Sequence, residues 1–392
     1  MPPRLCRVSP GEPGLSRRRC GRGWVYVDAA GRPVRDPEVI ARIRALVIPP
    51  AWEDVWICAR PNGHLQAVGT DNKGRRQYRY HDQWRLNRDR AKFERMLDFG
   101  AALPALRAES LGLLIAGGYG RDTVLAAAVR LLDLGCFRIG SDRSTEDNET
   151  FGLTTLERRH VRVRPPAVSF DYPGKGGVQQ STEVVDVLAS EYVAGLRRQR
   201  GGDRLLVYRE RQRGPWRPLR PEDVNGFIGD VAGGPFTAKD FRTWRASVLA
   251  AGELARIAAT GADRTAPRRI AATGADRITP RRMAQTGHKA VPVSEASRRR
   301  AVAEVMRRTS AFLGNTPTVC RASYVDPTVI DRYSSGHTVA EMGPAVRDLV
   351  ASRDIALTTT VPQAILEAAV LPWLRRSQHG DRAGSGRGRA AA

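Results

Sequence analysis

The chain has few of the features that would place it in a membrane, in a secretory pathway or around a metal ion. None of its 392 residues falls in a run approaching eighteen consecutive apolar residues, which argues against a membrane span. The first twenty residues carry charge but no apolar core, so they do not resemble a secretory signal. The five cysteines are scattered and form no CxxC pair, which argues against zinc sites and disulfide frameworks and favours a reducing cytoplasm.

Lysine is also scarce, because only five of the 64 basic residues are lysine: Lys73, Lys92, Lys175, Lys239 and Lys289. The simplest explanation is a coding bias towards arginine. Against that background, however, a retained lysine can mark a position that arginine cannot fill. Arginine essentially never gives up its proton, whereas lysine can act as a proton donor once its pKa is tuned.

Positive charge is what the chain has in excess. The 64 basic residues outnumber 41 acidic ones, and the net charge is +23. The basic residues do not lie only at the ends, since they also fill RLNRDRAKFER, LERRHVRVRP and LRRQRGGDRLLVYRERQRGPWRPLRP. Phosphates are the commonest dense anions in a cell, so the composition predicts a nucleic-acid partner.

The pattern of apolar residues predicts an α+β protein with a small β-rich domain and a larger, mostly helical domain that contains a small sheet. We expect a basic N-terminal arm at 1–20, the β-rich domain at 21–85, the helical domain at 86–375 and a disordered basic tail at 376–392. RIAATGADRTAPR (256–268) is followed by RIAATGADRITPR (269–281), a repeat too short for a solenoid. It predicts a tandem duplication in a surface insertion at 256–290.

Four segments carry residue types suited to chemistry. CFRIGSDRSTEDNETFGLTTL puts Arg138 just after a predicted helix, and FDYPGKGGVQQSTEV puts Lys175 on the turn of a predicted hairpin. FTAKDFRTWRA puts Lys239 and Arg242 near a helix start. The fourth segment is GNTPTVCRASYVDP, which holds Asn315 and Tyr324. Each segment alone is a weak signal, because such residues are more often solvated surface side chains.

GNTPTVCRASYVDP holds several side chains that could serve as nucleophiles. Thr316 and Thr318 flank a proline turn, and neither Cys320 nor Ser323 has a histidine base nearby in the sequence. A tyrosine needs only cationic surroundings, which lower the pKa of its phenol. The segment therefore favours Tyr324 as nucleophile and Cys320 as a packing residue.

Taken together, these motifs resemble the type IB DNA topoisomerases, in the short poxvirus-like form found in bacteria. IPPAWEDVWI and GRRQYRYH are similar to the family's N-terminal DNA-clamp domain, and FRIGS, GLTTL, KDFRTW and TPTVCRASY to its catalytic domain. The resemblance covers nearly the whole chain. It implies double-stranded DNA as substrate, a monomer that clamps DNA, no cofactor, and a cytoplasmic, nucleoid-associated enzyme.

The resemblance also implies roles for single residues. Tyr324 aligns with the nucleophile, and Arg138, Lys175, Arg242 and Asn315 align with the four assisting residues. The viral enzymes carry histidine where this sequence has Asn315, and bacterial relatives often share the asparagine. Two guanidiniums and an amide suit the charge that builds on a phosphate under attack, and Lys175 could protonate the leaving 5′-oxygen.

The N-terminal motif implies DNA contacts as well. Gln77 and Tyr78 resemble family residues that contact bases and phosphates in the major groove, where glutamine can bind adenine through two hydrogen bonds. An alternative interpretation is that Tyr78 and Tyr80 alternate on a strand, with one of them facing the core. The predicted DNA-binding residues are Arg76, Gln77, Tyr78, Arg79 and Lys239.

Two other functions remain possible from the sequence. A tyrosine recombinase shares the Arg–Lys–Arg–Tyr chemistry, but it usually has His-x-x-Arg where this chain has Lys239-x-x-Arg242. A non-catalytic architectural DNA-binding protein would not need all five catalytic residue types. GGYGRD at 117–122 lacks the ending of a phosphate-binding Walker loop, and the sequence shows no cluster of acidic metal ligands. We therefore expect a reaction that needs neither ATP nor a metal ion.

Overall fold

The computed structural model describes residues 4–199, 202–211, 213–260, 294–351 and 360–386. It divides into two compact units, Met1–Glu94 and Arg95–Ala392. The division thus falls at residue 94, whereas the sequence placed a domain boundary at 85. The fold combines an N-terminal antiparallel sheet with a mostly helical second unit, which confirms the predicted α+β class.

The first unit is built on an antiparallel sheet with the strand order β2-β1-β3-β4-β5. Alternating and continuous apolar runs explain these strands, since Val55 and Ile57 of β3 are buried and the first five residues of β4 are all buried. One helix covers the sheet, and its residue Ile43 packs on Val55, Ile57 and Ala67. The elements are β1 (Leu15–Cys20), β2 (Gly23–Val27), α1 (Pro37–Ala45), β3 (Glu53–Ile57), β4 (Leu65–Thr70) and β5 (Arg76–Tyr80).

The prediction of a basic N-terminal arm at 1–20 is wrong for its last part, which forms a strand. Leu15–Cys20 forms β1, which pairs with β2 on one side and β3 on the other. Cys6 also forms a bridge with Gly63. The sequence LSRRRC gave no strand signal, because three of its six residues are arginine and its apolar residues do not alternate with polar ones. Its neighbours in the sheet, and not its own apolar pattern, make it a strand.

The second unit is mostly helical and contains a three-stranded antiparallel sheet of order β6-β7-β8. Its helices and strands are α2 (Asp82–Ala116, which begins in the first unit), α3 (Arg121–Gly135), α4 (Asp142–Asn148), β6 (Val161–Arg164), β7 (Ala167–Pro173), β8 (Gln179–Val185), α5 (Val187–Arg198), β9 (Val207–Tyr208), β10 (Arg217–Pro218), α6 (Pro221–Ala232), α7 (Ala238–Thr260), α8 (Glu295–Leu313), α9 (Pro317–Ser323), α10 (Pro327–Ser334), α11 (Pro344–Ala351) and α12 (Thr360–Gly386).

Helix α7 is central to this unit. Nearly all its side chains between Asp240 and Ala255 are buried, including the polar Arg242, Arg245 and Ser247. Burying a charged side chain costs free energy unless the charge is paired or hydrogen-bonded. The buried arginines of α7 must therefore have partners that compensate for their lost hydration. The sheet β6–β8 packs through one face, where Phe170 meets Phe137 edge to face with ring centroids 4.8 Å apart.

The structure differs from the sequence prediction at the start of two further segments, the C-terminal tail and the repeat-containing insertion. The tail expected to be disordered from residue 376 begins in a helix, because α12 continues to Gly386. The predicted insertion at 256–290 starts inside α7, which ends at Thr260, and the rest of the repeat lies outside the described residues.

One described helix, α2, is long and apolar enough by composition to cross a membrane. That criterion is weak by itself, since the core helix of a globular domain satisfies it too. Arg107 of α2 forms ion pairs with Asp133 and Glu367, and Leu103 and Leu106 are buried. These contacts are typical of a core helix.

Candidate active site

Tyr324 lies directly after the short helix α9. Thr316 caps the start of α9 by accepting a hydrogen bond from the backbone N–H of Val319, and Pro317 occupies its first position. The half-buried Tyr324 ends the helix, and its backbone N–H donates to the carbonyl of Cys320. Ser247 of α7 fixes this turn, because its hydroxyl donates to the Tyr324 carbonyl (3.3 Å) and accepts from the Asp326 N–H (3.0 Å).

Arg242 is the buried cation next to Tyr324. It is 4% exposed, and its guanidinium carbon lies 5.2 Å from the centre of the Tyr324 ring. One terminal nitrogen donates to the carbonyl of Cys136, and the other donates to the carbonyl of Leu313 at 2.8 Å. Its Nε has no hydrogen-bond partner among the described residues. The side chain is therefore held by two backbone carbonyls, and its Nε–H is left without a partner among the described residues.

Arg138 follows α3 and reaches the end of α8. Its Nη2 donates to the carbonyl of Gly314 at 2.8 Å and to the side-chain oxygen of Asn315. Burial, followed by the charge of Arg242, lowers the pKa of Arg138. Arginine nevertheless stays protonated in proteins, so two positive charges remain side by side. Such a pair is expensive without an anion, and it prepares the site to receive one.

Asn315 is oriented by Arg138. Arginine can only donate, so the Asn315 oxygen must face the guanidinium and the amide nitrogen must point elsewhere. That nitrogen is buried and has no partner within the described part of the chain. Gly314 ends α8 in the left-handed conformation (φ 61°), and a Cβ on it would lie 1.9 Å from the side-chain oxygen of Gln180. The left-handed backbone favours glycine at this position, whereas the flexible Gln180 side chain could shift away from a Cβ.

Removing the Asn315 amide tests whether this side chain assists the reaction, as the resemblance implies. The resemblance to type IB topoisomerases implies that Asn315→Ala slows DNA cleavage by about 10²–10³-fold while DNA affinity stays nearly unchanged, because the amide would donate to charge that develops in the transition state. The measurement is single-turnover cleavage of a short duplex. Asn148→Ala at the exposed end of α4 is the matched control. An equal loss of DNA binding and cleavage in Asn315→Ala would contradict the assignment.

The charges of Arg138 and Arg242 act on two tyrosines, Tyr324 and Tyr172, but the pKa values of the two phenols shift in opposite directions. Burial by itself raises the pKa of Tyr324, yet the charge and hydrogen bond of Arg242, with the charges of Arg138 and Lys239, outweigh it and lower that pKa. Tyr172 of β7 is buried more deeply, and burial raises its pKa to about 12 despite the same two arginines. Tyr324 is the phenol that ionises more readily.

Cys320 lies one turn before Tyr324 and is fully buried. Burial raises the pKa of its thiol to about 11, with a smaller opposing effect from the charge of Arg242. A thiol with a raised pKa is a poor nucleophile. Cys320 is therefore a packing residue, as the sequence predicts.

The two lysines of the candidate set are exposed. Lys239 lies in the first turn of α7, which begins at Ala238, and its charge contributes to the lowered pKa of Tyr324. Lys175 lies on the turn between β7 and β8, as predicted, and makes no hydrogen bond or ion pair with any described residue. The structure brings Arg138, Arg242, Asn315 and Tyr324 together but leaves Lys175 outside that group. Its hairpin nevertheless adjoins the group through Tyr172 and Gln180.

The predicted DNA-binding residues of the first unit lie on β5. Gln77 donates to a carboxylate oxygen of Asp71 at 2.9 Å, and Arg79 donates to the carbonyl of Val47. The proposal that one of Tyr78 and Tyr80 faces the core is wrong. Residues two apart on a strand share a face, and these rings are 48% and 40% exposed with centroids 6.2 Å apart.

Sequence reasoning missed several residues that hold the site. Ser247 anchors Tyr324, the carbonyl of Cys136 anchors Arg242, and Gln180 meets Gly314. A buried serine in the apolar face of α7 could have been noticed from the pattern. The other two carry no local signal, because a backbone carbonyl or a strand glutamine becomes a partner only through long-range contacts.

Comparisons with known proteins agree with this geometry. A model of the bacterial DNA topoisomerase IB N-terminal domain matches residues 23–71, and one of the eukaryotic DNA topoisomerase I catalytic core matches residues 81–338. DNA topoisomerase 1B of Acanthamoeba polyphaga mimivirus is 29% identical over 240 residues, covering 60% of this chain and 70% of that protein.

Two cellular relatives are more distant in sequence and longer. DNA topoisomerase 1 of Mycosarcoma maydis is 24% identical over 199 residues, which cover 45% of this chain and 19% of that protein. DNA topoisomerase 1 of Schizosaccharomyces pombe is 27% identical over 132 residues, covering 33% and 15%. The catalytic-core match covers well over half of the chain and every side chain gathered around Tyr324. The chain therefore belongs to the DNA topoisomerase I family and is an enzyme of its type IB branch.

Proposed function

We propose that the enzyme relaxes supercoiled DNA by cutting one strand, letting it rotate about the other and resealing it, without ATP or a metal ion. The convergence of Arg138, Arg242 and Asn315 beside the Tyr324 phenol carries this proposal. The Tyr324 oxygen, having lost its proton to water, attacks a backbone phosphorus and displaces the 5′-oxygen. The product is a 3′-phosphotyrosyl linkage, and attack by the 5′-hydroxyl reverses the step.

The cationic group would stabilise the transition state. Attack builds negative charge on the non-bridging oxygens of a five-coordinate phosphorus, and guanidiniums can hold those oxygens through charge-assisted hydrogen bonds. Arg242 retains a free Nε, and Asn315 retains a free amide nitrogen within the described residues. Two carbonyls hold the Arg242 guanidinium and Arg138 holds the Asn315 side chain. Both donor atoms are buried, so DNA binding would have to bring them into contact with the phosphate.

Lys175 would protonate the leaving 5′-oxygen. It is exposed on a glycine-rich turn, GKGG, whose Gly176 and Gly177 have positive φ angles of 77° and 74°. A turn of this kind can adjust when DNA binds, because glycine tolerates many backbone conformations. Arginine at this position would hold its proton too tightly for the task. Lys239 would contact a phosphate from the start of α7.

The first unit would bind the DNA through β5. Arg76 is exposed and makes no ion pair within the described residues, whereas Arg79 is tied to the carbonyl of Val47. The exposed rings of Tyr78 and Tyr80 offer apolar contact beside these cations. Gln77 would need to leave Asp71 in order to contact a base.

Because Arg76 is free to bind a phosphate and Arg79 is tied to the carbonyl of Val47, Arg76 should contribute to the salt dependence of DNA affinity. Arg76→Ala should reduce the slope of log affinity against log salt by about 1, because each phosphate contact releases condensed counterions. Equilibrium binding to a duplex at salt concentrations between about 50 and 200 mM measures this slope. Arg32→Ala, whose side chain is exposed and paired with Asp28, is the control. Equal slopes for wild type and Arg76→Ala would contradict a phosphate contact.

We propose that 21–85 acts as a DNA-clamp domain and 86–375 as the catalytic domain, that the enzyme works as a monomer, and that it acts on the nucleoid in the cytoplasm. The excess of arginine over the whole chain supports a long DNA contact.

Relaxation of negatively and positively supercoiled plasmid in EDTA without ATP tests the proposed function. Wild type should relax both signs completely, since strand rotation needs no energy source. Binding without any change in supercoiling would favour the architectural alternative. Exchange or deletion of DNA segments would favour a tyrosine recombinase.

A further inference from the structure

The C-terminal helix α12 places two polar side chains in the interior of the second unit. Gln363 is 1% exposed and Glu367 is 7% exposed. Both lie beyond residue 338, where the match to the catalytic core ends. The proposed reaction gives neither of them a role. Buried polar groups are kept only when their partners compensate for lost hydration, so their partners indicate what they do.

Gln363 and Glu367 belong to a buried ion network that joins α2, α3 and α12. Arg107 of α2 donates to both carboxylate oxygens of Asp133 at 2.7 and 2.8 Å, and to both of Glu367 at 2.6 and 3.1 Å. The Gln363 amide bridges the two acids, donating to Asp133 at 3.1 Å and to Glu367 at 2.9 Å. One guanidinium and one amide thus hold two carboxylates together.

Arg245 of α7 completes the charge balance. It is 1% exposed, and its Nη1 lies 3.9 Å from the carboxylate of Glu367. Burial alone would raise the pKa of Asp133, but the hydrogen bonds and charge of Arg107, together with the charge of Arg245, lower it. Two positive and two negative charges are therefore buried together. Removing any one of them leaves an uncompensated charge in the interior.

This network touches the candidate active site at Cys136. Asp133 lies on α3, one helical turn before the C-cap residue Cys136. Burial raises the pKa of the Cys136 thiol, and the charge of Arg245, the charge of Arg242 and a hydrogen bond from Arg245 oppose that rise. The backbone carbonyl of the same Cys136 accepts the hydrogen bond from Arg242. Arg242 and Arg245 are three residues apart on α7, so they lie on one face of that helix. Cys136 is thus held by both arginines, through its carbonyl and through its thiol.

We infer that Glu367 and Gln363 are positioning residues for the reaction, acting through Arg245 and Cys136 to hold Arg242 against the Tyr324 ring. The inference rests on the proposed function of Arg242. In this account α12 is a part of the catalytic machinery that lies outside the matched core. Without Glu367, Arg107 and Arg245 share Asp133 alone, so Arg245 moves towards Asp133 and away from Cys136. Arg242 then loses the fixed carbonyl that aims it.

Glu367→Gln tests this inference by single-turnover cleavage of a short duplex over a range of pH. Arg242, Arg138 and Lys239 are the charges that act on Tyr324. A displaced Arg242 should slow cleavage at least about tenfold and shift the pH midpoint of cleavage upwards, because the Tyr324 pKa rises. Glu367→Asp keeps the charge and should recover part of the rate. DNA affinity should change less than twofold.

A matched control is Glu304→Gln on α8, which breaks a surface contact of Glu304 with Arg307 and Arg308. Gln363→Met, which removes the bridging amide and leaves every charge, replaces Glu367→Gln if that variant does not fold. It should also shift the midpoint upwards. A lower unfolding temperature with an unchanged rate and midpoint would overturn the inference and leave α12 a purely structural helix. Failure of wild type to cleave would instead overturn the proposed function.

Discussion

Tyr324→Phe should bind DNA normally but fail to relax it. The phenylalanine keeps the ring beside Arg242 and removes only the oxygen that we propose attacks phosphorus. Loss of a nucleophile typically reduces turnover on the order of 10⁶-fold, to background. We therefore expect no relaxation of plasmid and no covalent protein–DNA complex, with duplex affinity within about twofold of wild type. Gel relaxation, denaturing gels and equilibrium binding measure the three quantities.

Tyr172→Phe is the matched control for this prediction. Tyr172 is the second phenol acted on by Arg138 and Arg242, and its pKa is raised to about 12. The Tyr172→Phe variant should still form the covalent complex, because a buried phenol of raised pKa does not ionise readily and Tyr172 is therefore not the expected nucleophile. A covalent complex that survives Tyr324→Phe and disappears in Tyr172→Phe would exchange the two roles.

The electrostatics of Tyr324 add a pH dependence to the same reaction. The folded-state pKa lies below the ordinary tyrosine value of about 10, mainly because Arg242 outweighs burial. Lower pKa means that the ionised phenol is reached at lower pH. Wild type should therefore approach its maximal cleavage rate at a lower pH than Arg242→Lys, which keeps the charge but loses the fork of donors.

Lys175→Ala should slow cleavage by about 10²–10⁴-fold, the usual contribution of a general acid. The defect should disappear on a substrate whose leaving 5′-oxygen is replaced by sulfur. A thiolate is a stable leaving group and needs no proton, so the missing lysine no longer matters. Single-turnover cleavage of matched oxygen and sulfur duplexes measures the effect.

Lys239→Ala separates proton donation from phosphate binding. Lys239 is exposed at the start of α7 and is proposed to contact phosphate, so its loss should slow cleavage of both substrates alike. Lys175→Arg should behave like Lys175→Ala, because arginine keeps the charge but does not release a proton. If sulfur fails to rescue Lys175→Ala, Lys175 binds phosphate and the general acid is another group.

Local sequence predicted the parts of the site that local sequence determines. The apolar spacing predicted a helix that ends before Asn315, and α8 does end at Leu313. The proline turn expected beside Thr316 and Thr318 is instead the start of α9, where Thr316 caps the helix and Pro317 takes its first position. The Lys175 turn was likewise readable from GKGG between two strands. The α+β class followed from the change from alternating to helical apolar spacing.

The remaining features depend on contacts far apart in sequence. Nothing near Arg242 indicates that it binds the carbonyls of Cys136 and Leu313, which are 106 and 71 residues away. Strand β1 exists because β2 and β3 flank it, and α12 is anchored by Arg107, 260 residues before Glu367. For the same reason the sequence predicted a basic arm at 1–20, where the structure has β1, and a disordered tail from 376, where α12 continues.

The central claim is that Tyr324 carries the cut strand on its 3′ end. It is tested most directly by trapping wild type on a duplex labelled on the 5′ side of the cut, digesting the complex with trypsin and sequencing the labelled peptide by mass spectrometry. The account predicts the peptide ASYVDPTVIDR, residues 322–332, with a 3′-phosphoryl nucleotide on Tyr324. A nucleotide on any other residue, or a linkage through the 5′ end, would contradict it.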